Sequence, residues 1–271
     1  MRMHRLSFWE KEKWMNKVIL ISVDGMRPDG FLACGNPYIR ELMEKASYTL
    51  TGRTVFPSVT LPCHLSLFHS VPPERHGTLT NTYVPPVHPV KGLFEQAAAF
   101  GACCAMYYNW DPIRQVASFD CLKHSAFVGG YEVESSDTVN TDRALDVIRT
   151  HEPDFIFLYM VDTDEKGGHD NGWMSDEYLR RIGMAVDNIR RVVEACGDRY
   201  TVIITADHGG HDRSHGTDRE EDMTIPMFFL GERFAPGRVL EGLSILDLAP
   251  TIADVMGILP VPEWEGKSAA Q

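Results

Sequence analysis

Five short apolar runs constrain the fold more than any other feature: VILISVD (18–24), ACCAMYY (102–108), DFIFLYMVD (154–162), TVIITAD (201–207) and PMFFLG (226–231). Each has the length of a strand and is rich in β-branched or aromatic residues. Stretches of helical periodicity separate them, at about 37–47, 60–70, 91–100, 138–151, 175–196 and 245–257. In the longest, Tyr178, Ile182, Ala185, Ile189, Val192 and Val193 recur every three or four residues, while Arg180, Arg181, Arg190 and Arg191 fall largely on other faces. This alternation predicts an α/β fold, a mostly parallel central sheet flanked by helices. No repeat or linker breaks it, so a single domain over 1–271 is expected, with 1–15 as a candidate N-terminal extension. The segment 109–140 lacks clear periodicity and is a candidate substrate-specificity insertion.

Charge and cysteine content narrow the classes of function. The 38 acidic against 26 basic residues give a net charge of -12, which repels a polyanion and argues against long nucleic acid as a partner. Six cysteines at 34, 63, 103, 104, 121 and 196 form no CxxC pair; free thiols, and with them a cytoplasmic chain, are expected. The opening MRMHRLSFWEKEKW has no apolar stretch of signal length, and no later run has membrane length. Neither secretion nor a membrane partner is therefore expected.

Three of the runs end in carboxylates: Asp24, Asp162 with Asp164 just beyond, and Asp207. In open α/β sheets the carboxyl ends of strands form the ligand crevice, so these residues are expected to converge. The loops DTDEKGGHDNG (162–172) and ADHGGH (206–211) add imidazoles. A lone Asp or His at a strand end is more often a cap or a satisfied polar contact. Three such clusters, each followed by glycine, point instead to a metal centre of carboxylate and imidazole, a donor set suited to zinc or manganese. A nucleophile beside it must be a hydroxyl or thiol. Thr60 precedes Leu-Pro and a helical stretch, where free N–H groups favour a bound phosphate; its local sequence reads equally well as a helix cap.

The order of motifs resembles that of the type I phosphodiesterase/nucleotide pyrophosphatase family of the alkaline phosphatase superfamily. SVDGMRPD (22–29) is similar to its DG motif and SVTLPCH (58–64) to T-F-P-N-H. PPERHGTLTN (72–81) resembles P-x-x-H-G-I-x-x-N, and YMVDTDEKGGHDNGW (159–173) resembles Y-x-x-x-x-D-x-x-G-H-x-x-G. ADHGGH and SHGT (214–217) look like the closing ligand motifs, and SILDLAPTIADVMGI (244–258) like the superfamily's final helix. The resemblance implies a two-metal hydrolase of phosphate esters, a phosphodiesterase/nucleotide pyrophosphatase acting through a phosphothreonyl intermediate, with Thr60 as nucleophile and Asn81 as donor to a phosphoryl oxygen. It implies two divalent ions, zinc with manganese as the alternative. One would take Asp24, Asp207, His208 and the Thr60 oxygen, and the other Asp164, His169 and His215. The expected substrate is a small phosphate ester, with a nucleotide as one candidate.

Three departures leave alternatives open. Asp164 to His169 is one residue longer than the family spacing, so Glu165 and Asp162 remain rivals to Asp164. Cys63 stands where the family has Asn. His215 follows His208 by only seven residues, and His211 competes with it. Aromatics at Tyr83, Tyr107, Tyr108, Trp110 and Trp173 are candidates to frame a base or aryl group. A phosphomonoesterase or phosphonoacetate-type hydrolase is the enzymatic alternative, decided by whether Arg27, Arg53 or Arg114 meets a third phosphate oxygen. A catalytically silent metal-binding relative is the alternative of another class.

Overall fold

The computed structural model describes residues 15–270; the greater part of the candidate N-terminal extension lies outside them. Seven strands, β1 (Lys17–Val23), β2 (Ser47–Arg53), β3 (Cys104–Tyr108), β4 (Leu122–Phe127), β5 (Phe155–Met160), β6 (Tyr200–Thr205) and β7 (Thr224–Leu230), form one sheet in the order β2-β7-β6-β1-β5-β3-β4. The five strands from β6 to β4 run parallel, and β7 turns antiparallel to both β6 and β2. The expected mostly parallel sheet is what forms.

β1 is the middle strand, and its Val18–Val23 backbone is buried on both faces, as are all residues of β5 and β6. Strands covered by helices on either side read as unbroken apolar runs, which is why these three stand out in the sequence. β2 and β4 are the two edges of the sheet. The outer side of β2 is partly covered by residues 238–244, with Tyr48 N–H donating to Arg238 O (2.8 Å), and both edge strands are polar or alternating: SYTLTGR and LKHSAF. Neither has the apolar signature, and β4 lies inside the aperiodic 109–140 segment.

The long helices follow the expected positions: Tyr38–Lys45, Thr60–His69, Leu93–Ala99, Ser136–Thr150, Asp176–Cys196 and Leu248–Met256. Ser175 caps Asp176–Cys196 by accepting the Tyr178 N–H (3.2 Å). This helix buries Tyr178, Ile182, Ala185, Ile189 and Val192 against the sheet. Arg181 departs from the expected exposed face; it is buried between Glu177 and Glu134.

What matters for the site is the register. Val23 pairs with Met160 and Ser22 with Thr205, so β6, β1 and β5 stop at the same level. Asp207, Asp24 and the 161–164 loop therefore leave one edge of the sheet side by side.

Candidate two-metal site

The helix Thr60–His69 begins at that edge. Thr60 is its first helical residue, with Val59 as the extended residue before it, and the threonine side chain makes no capping bond. Its Oγ1 instead lies 3.1 Å from Nε2 of His208. Of the helix's free amides, that of Leu61 donates to Asn81 Oδ1 (3.0 Å), and Pro62 supplies no N–H. This bond fixes the Asn81 amide and leaves its NH2 group without a partner among the described residues.

Ligand-type atoms of Asp24, Asp207 and His208 lie within 4.8 Å of one another, and so do those of Asp164, His208 and His215. The first cluster is the expected set. The second shares His208 with the first, and His169 adjoins it: Nε2 of His169 is 3.3 Å from Asp164 Oδ2, and its ring centroid is 5.1 Å from that of His215. The rings of His208 and His215 stack at 3.9 Å.

Backbone carbonyls set the imidazoles. Nδ1 of His208 donates to Gly209 O (2.7 Å), that of His215 to Ser58 O (2.9 Å) and that of His169 to Arg213 O (3.1 Å). Each ring thereby presents the lone pair of Nε2 to the cluster, the arrangement by which metal-binding histidines are oriented. His64 differs: Nδ1 meets Thr60 O at 2.8 Å and Nε2 meets Ser22 Oγ at 3.0 Å, so both nitrogens are used in the scaffold. His211 pairs with Asp222 (2.7 Å) and stands outside both clusters.

Three buried carboxylate oxygens, Asp24 Oδ1, Asp164 Oδ1 and Asp207 Oδ2, have no hydrogen-bond partner. Burial, then Asp207 and Asp164, push the Asp24 carboxyl well above its usual range. Burial, then Asp207 and Glu165, do the same to Asp164. Burial also works against Asp207, yet the His208 and His64 imidazoles hold it below its usual value. Burial, then His208, keeps His215 neutral by holding it down to about 3. Orphaned oxygens and mutual repulsion are what a divalent cation relieves, so the residues fit a bound metal.

Of the three rivals at 162, 164 and 165, Asp164 is the one whose carboxylate lies in a cluster of ligand-type atoms. Residues Thr163–His169 form a π-helical turn, with the Asp170 N–H reaching back to Glu165 O. A π-turn absorbs one extra residue, and such turns recur at functional sites. It brings residues five apart onto one face, so Asp164 meets His169 despite the lengthened spacing. Gly25, at φ +64°, leaves room for this turn, since a Cβ there would come within 2.8 Å of Asp164 Oδ1.

Asp162 points away, accepting from Ser136 Oγ (2.7 Å) and Lys166 Nζ (3.0 Å). It holds Asp137 close, and burial with the Asp162 charge raises the Asp137 carboxyl to about 8. The native state thus keeps a proton that the unfolded chain sheds above pH ~4, and stability falls as pH rises towards 8. Asp137→Asn removes that dependence. The difference in unfolding free energy between wild type and variant should grow with pH by up to about 1.4 kcal/mol per unit between pH 5 and 8, as read by urea titration; a pH-independent difference would leave Asp137 ionised.

A cavity of about 290 Å³ opens over Thr60, lined by Asp24, Asn81, Trp110, Tyr131, Asp164, Glu165, His169 and His215 among others, and by neither Lys nor Arg. Arg27 is bound to Asp29 and Gly210 O, Arg53 to Glu220 and Thr224, and Arg114 to Asp111. Of the expected aromatics only Trp110 reaches the cavity wall. Trp173 packs under it, donating with Tyr178 to Gly25 O. Tyr83 lines a different cavity, Tyr107 is buried in the core, and Tyr108 packs on Phe127.

Two contributors are given no role in the site by the sequence. Tyr159 donates to Asp24 from within the apolar run of β5, and Tyr131 lines the cavity from the 109–140 segment. Its only local signal is the preceding Gly129–Gly130 pair. Cys63 is buried and takes the Thr54 hydroxyl hydrogen (3.2 Å); burial pushes its thiol up, so it is a packing residue.

The chain has relatives among known proteins. The chain is 25% identical over 220 residues to human ectonucleotide pyrophosphatase/phosphodiesterase family member 1, covering 70% of this chain and 23% of that protein. It is 28% identical over 251 residues to venom phosphodiesterase CdcPDE of Crotalus durissus collilineatus, covering 81% and 29%. The chain thus spans between a fifth and a third of these relatives' length. Its fold matches murine ectonucleotide pyrophosphatase/phosphodiesterase 5, in an inactive threonine-to-alanine form in complex with AMP. There the TM-score is 0.77 and the identity 14%, covering 94% of this chain and 97% of the other.

The cytoplasmic expectation is overturned by these relatives, several of which are named as ecto-enzymes. The thiols that suggested it are unpaired, but Cys63, Cys104, Cys121 and Cys196 are buried, and such burial says nothing of compartment. No helix among the described residues is long and apolar enough to cross a membrane. The family profile of type I phosphodiesterase/nucleotide pyrophosphatase matches residues 18–224, and with the strand-end clusters found where its motifs fall, the chain belongs to that family.

Proposed function

We propose that the chain hydrolyses phosphodiesters through Thr60. The observation that carries this reading is the Thr60 hydroxyl, 3.1 Å from His208 Nε2, beneath a cavity bounded by two carboxylate–imidazole clusters. Asp24, Asp207 and His208 would hold one divalent ion beside Thr60, and Asp164, His169 and His215 the other. Zinc suits this mixture of nitrogen and oxygen donors, and manganese is the alternative. Bound there, the ions would supply the positive charge that favours an ionised hydroxyl and a phosphoryl group.

Thr60 Oγ1 attacks phosphorus in line with the leaving oxygen, forming a phosphothreonine that water then cleaves. Asn81, its carbonyl tied to Leu61 N–H, donates its NH2 to an equatorial oxygen. His64, braced between Ser22 and Thr60 O, holds the first turn of the helix in place. Two displacements leave the configuration at phosphorus retained.

Diester is favoured over monoester because no Lys or Arg lines the cavity to meet a third anionic oxygen. The 109–140 segment, through Trp110 and Tyr131, is proposed to set which substituent is accepted. Nucleotide diesters are one class to assay, given the relatives' names. Bis(p-nitrophenyl) phosphate should be turned over with a kcat/KM at least about tenfold above that for p-nitrophenyl phosphate, the equivalent of one missing charge contact. A preference for the monoester would overturn the diester assignment.

A further inference from the structure

A second cavity, of about 520 Å³, opens at the far end of the helix that carries Thr60. Leu65 and His69 of that helix line it, with ~14 Å of helix between His69 and Thr60. Tyr83, Pro86 and Pro89 line it from the loop that follows Asn81, and Glu95 from the next helix. Residues 85–89 of that loop make no hydrogen bond among the described residues, which leaves the loop held at Val84 and Val90.

Two acceptors stand side by side in the wall. His69 Nδ1 donates to Val90 O (2.8 Å), so Nε2 carries a lone pair, and it makes no bond among the described residues. Burial keeps this imidazole below its usual range, against the pull of the Val90 carbonyl and of Glu95, and hence neutral. Glu95 Oε1 takes both the N–H and the hydroxyl of Ser118 (3.0 Å each), while Oε2 is buried without a partner. Gly92 keeps the space beside them open, since a Cβ there would stand 2.6 Å from Oε2 and 3.0 Å from Cε1 of His69. The rest of the wall is apolar or neutral apart from Lys91, which is exposed.

An unpaired buried acceptor is costly, and a donor that reaches it is correspondingly favoured. Two adjacent acceptors, one of them a carboxylate oxygen, among leucine, proline and tyrosine surfaces suit a flat group with two N–H donors and a positive charge. An anionic ligand would face both lone pairs and be repelled.

We propose that this cavity is a second ligand site, for a small aromatic cation of the amidine or guanidine type, and that its occupancy is felt at Thr60 and Asn81. One N–H reaches Glu95 Oε2 and the other His69 Nε2, while the ring packs against Tyr83 and the loop prolines. The helix and the loop that line the cavity are the two elements that set Thr60 and Asn81, joined at the active site by the bond from Leu61 N–H to Asn81. A ligand between them ties residues 85–89 to the helix and braces the loop that bears Asn81. The coupling rests on the phosphodiesterase reading above; the site does not.

Benzamidine is the probe, and benzamide, of nearly the same shape, lacks one donor and the charge. Calorimetry on the zinc-loaded protein should find one benzamidine per chain, bound at least about tenfold more tightly than benzamide. Glu95→Gln keeps an acceptor for Ser118 and exchanges Oε2 for an NH2. It should weaken benzamidine by about tenfold or more, with melting temperature and basal turnover unchanged. Tyr83→Ala, on the loop, should weaken it by about threefold or more, and serves alone if Glu95→Gln does not fold. Saturating benzamidine should raise kcat for bis(p-nitrophenyl) phosphate by about twofold or more, with KM within about twofold of its starting value. No binding, equal binding of the two probes, or undiminished affinity in the folded variants overturns the site. Competition with substrate would seat benzamidine over Thr60 and overturns it as well. Binding with unchanged kcat overturns the coupling alone. A protein that hydrolyses no diester overturns the phosphodiesterase reading and the coupling with it, while calorimetry still decides the site.

Discussion

Thr60→Ala should lower turnover of bis(p-nitrophenyl) phosphate by a factor on the order of 10^4 or more, the scale seen when a covalent nucleophile is removed. Two metals per chain should remain, because Asp24, Asp207 and His208 are placed by β1 and β6 and not by the threonine. The side chain is buried and makes a single hydrogen bond, to His208, so its loss should cost only about 1 kcal/mol of stability. Thr60→Ser keeps the oxygen and should recover most of the lost rate. Initial rates and elemental analysis of the three proteins read this directly. Full turnover by a two-metal Thr60→Ala protein would leave water as the direct nucleophile, with inversion at phosphorus.

The central strands and the clusters at their ends were legible for one physical reason. β1, β5 and β6 are buried on both faces, so they carry no alternation to obscure them, and a charged residue directly after such a strand is conspicuous. The edges β2 and β4 carry half-exposed faces and pass for loops. Spacing alone revealed the extra residue between Asp164 and His169 but not its consequence, since the π-turn depends on packing against Trp173 and Tyr178. Tyr159 opens the 159–173 motif, but its contact with Asp24 exists only once β5 lies beside β1. Tyr131 reaches the cavity through a loop that has no periodic signal. Thr60 stood out as a candidate only through its company, since the local sequence serves a helix cap as well. The structure sets only the cap reading aside, making Thr60 the first helical residue and turning its hydroxyl to His208.

Asp24→Asn should separate the metal centre's contribution to stability from its contribution to chemistry. In the metal-free protein Asp24 is buried among like charges, and Asp207 and Asp164 raise its carboxyl further. An asparagine carbonyl can still accept from Tyr159, while its NH2 replaces the orphaned Oδ1 that lies 3.3 Å from His208 Nε2. Repulsion is thus exchanged for a hydrogen bond, and the metal-free variant should melt above metal-free wild type. The sign with pH follows from the raised carboxyl. Wild-type metal-free stability is fullest below the ordinary carboxylate range and declines as pH rises above it, so the variant's advantage should widen between pH 5 and 8. Metal reverses the order. An ion at a thousand times its dissociation constant adds about 4 kcal/mol to the native state, and the variant, with an NH2 pointed at the lone pair the ion needs, should forgo most of that gain. Its turnover should fall by about 10^3 or more as the charge opposite the phosphoryl group is lost. Thermal melts with chelator and with zinc, run at pH 5 and pH 8 on both proteins, give all four comparisons. A metal-free variant less stable than wild type at pH 8 would mean that the three carboxylates do not strain the empty site.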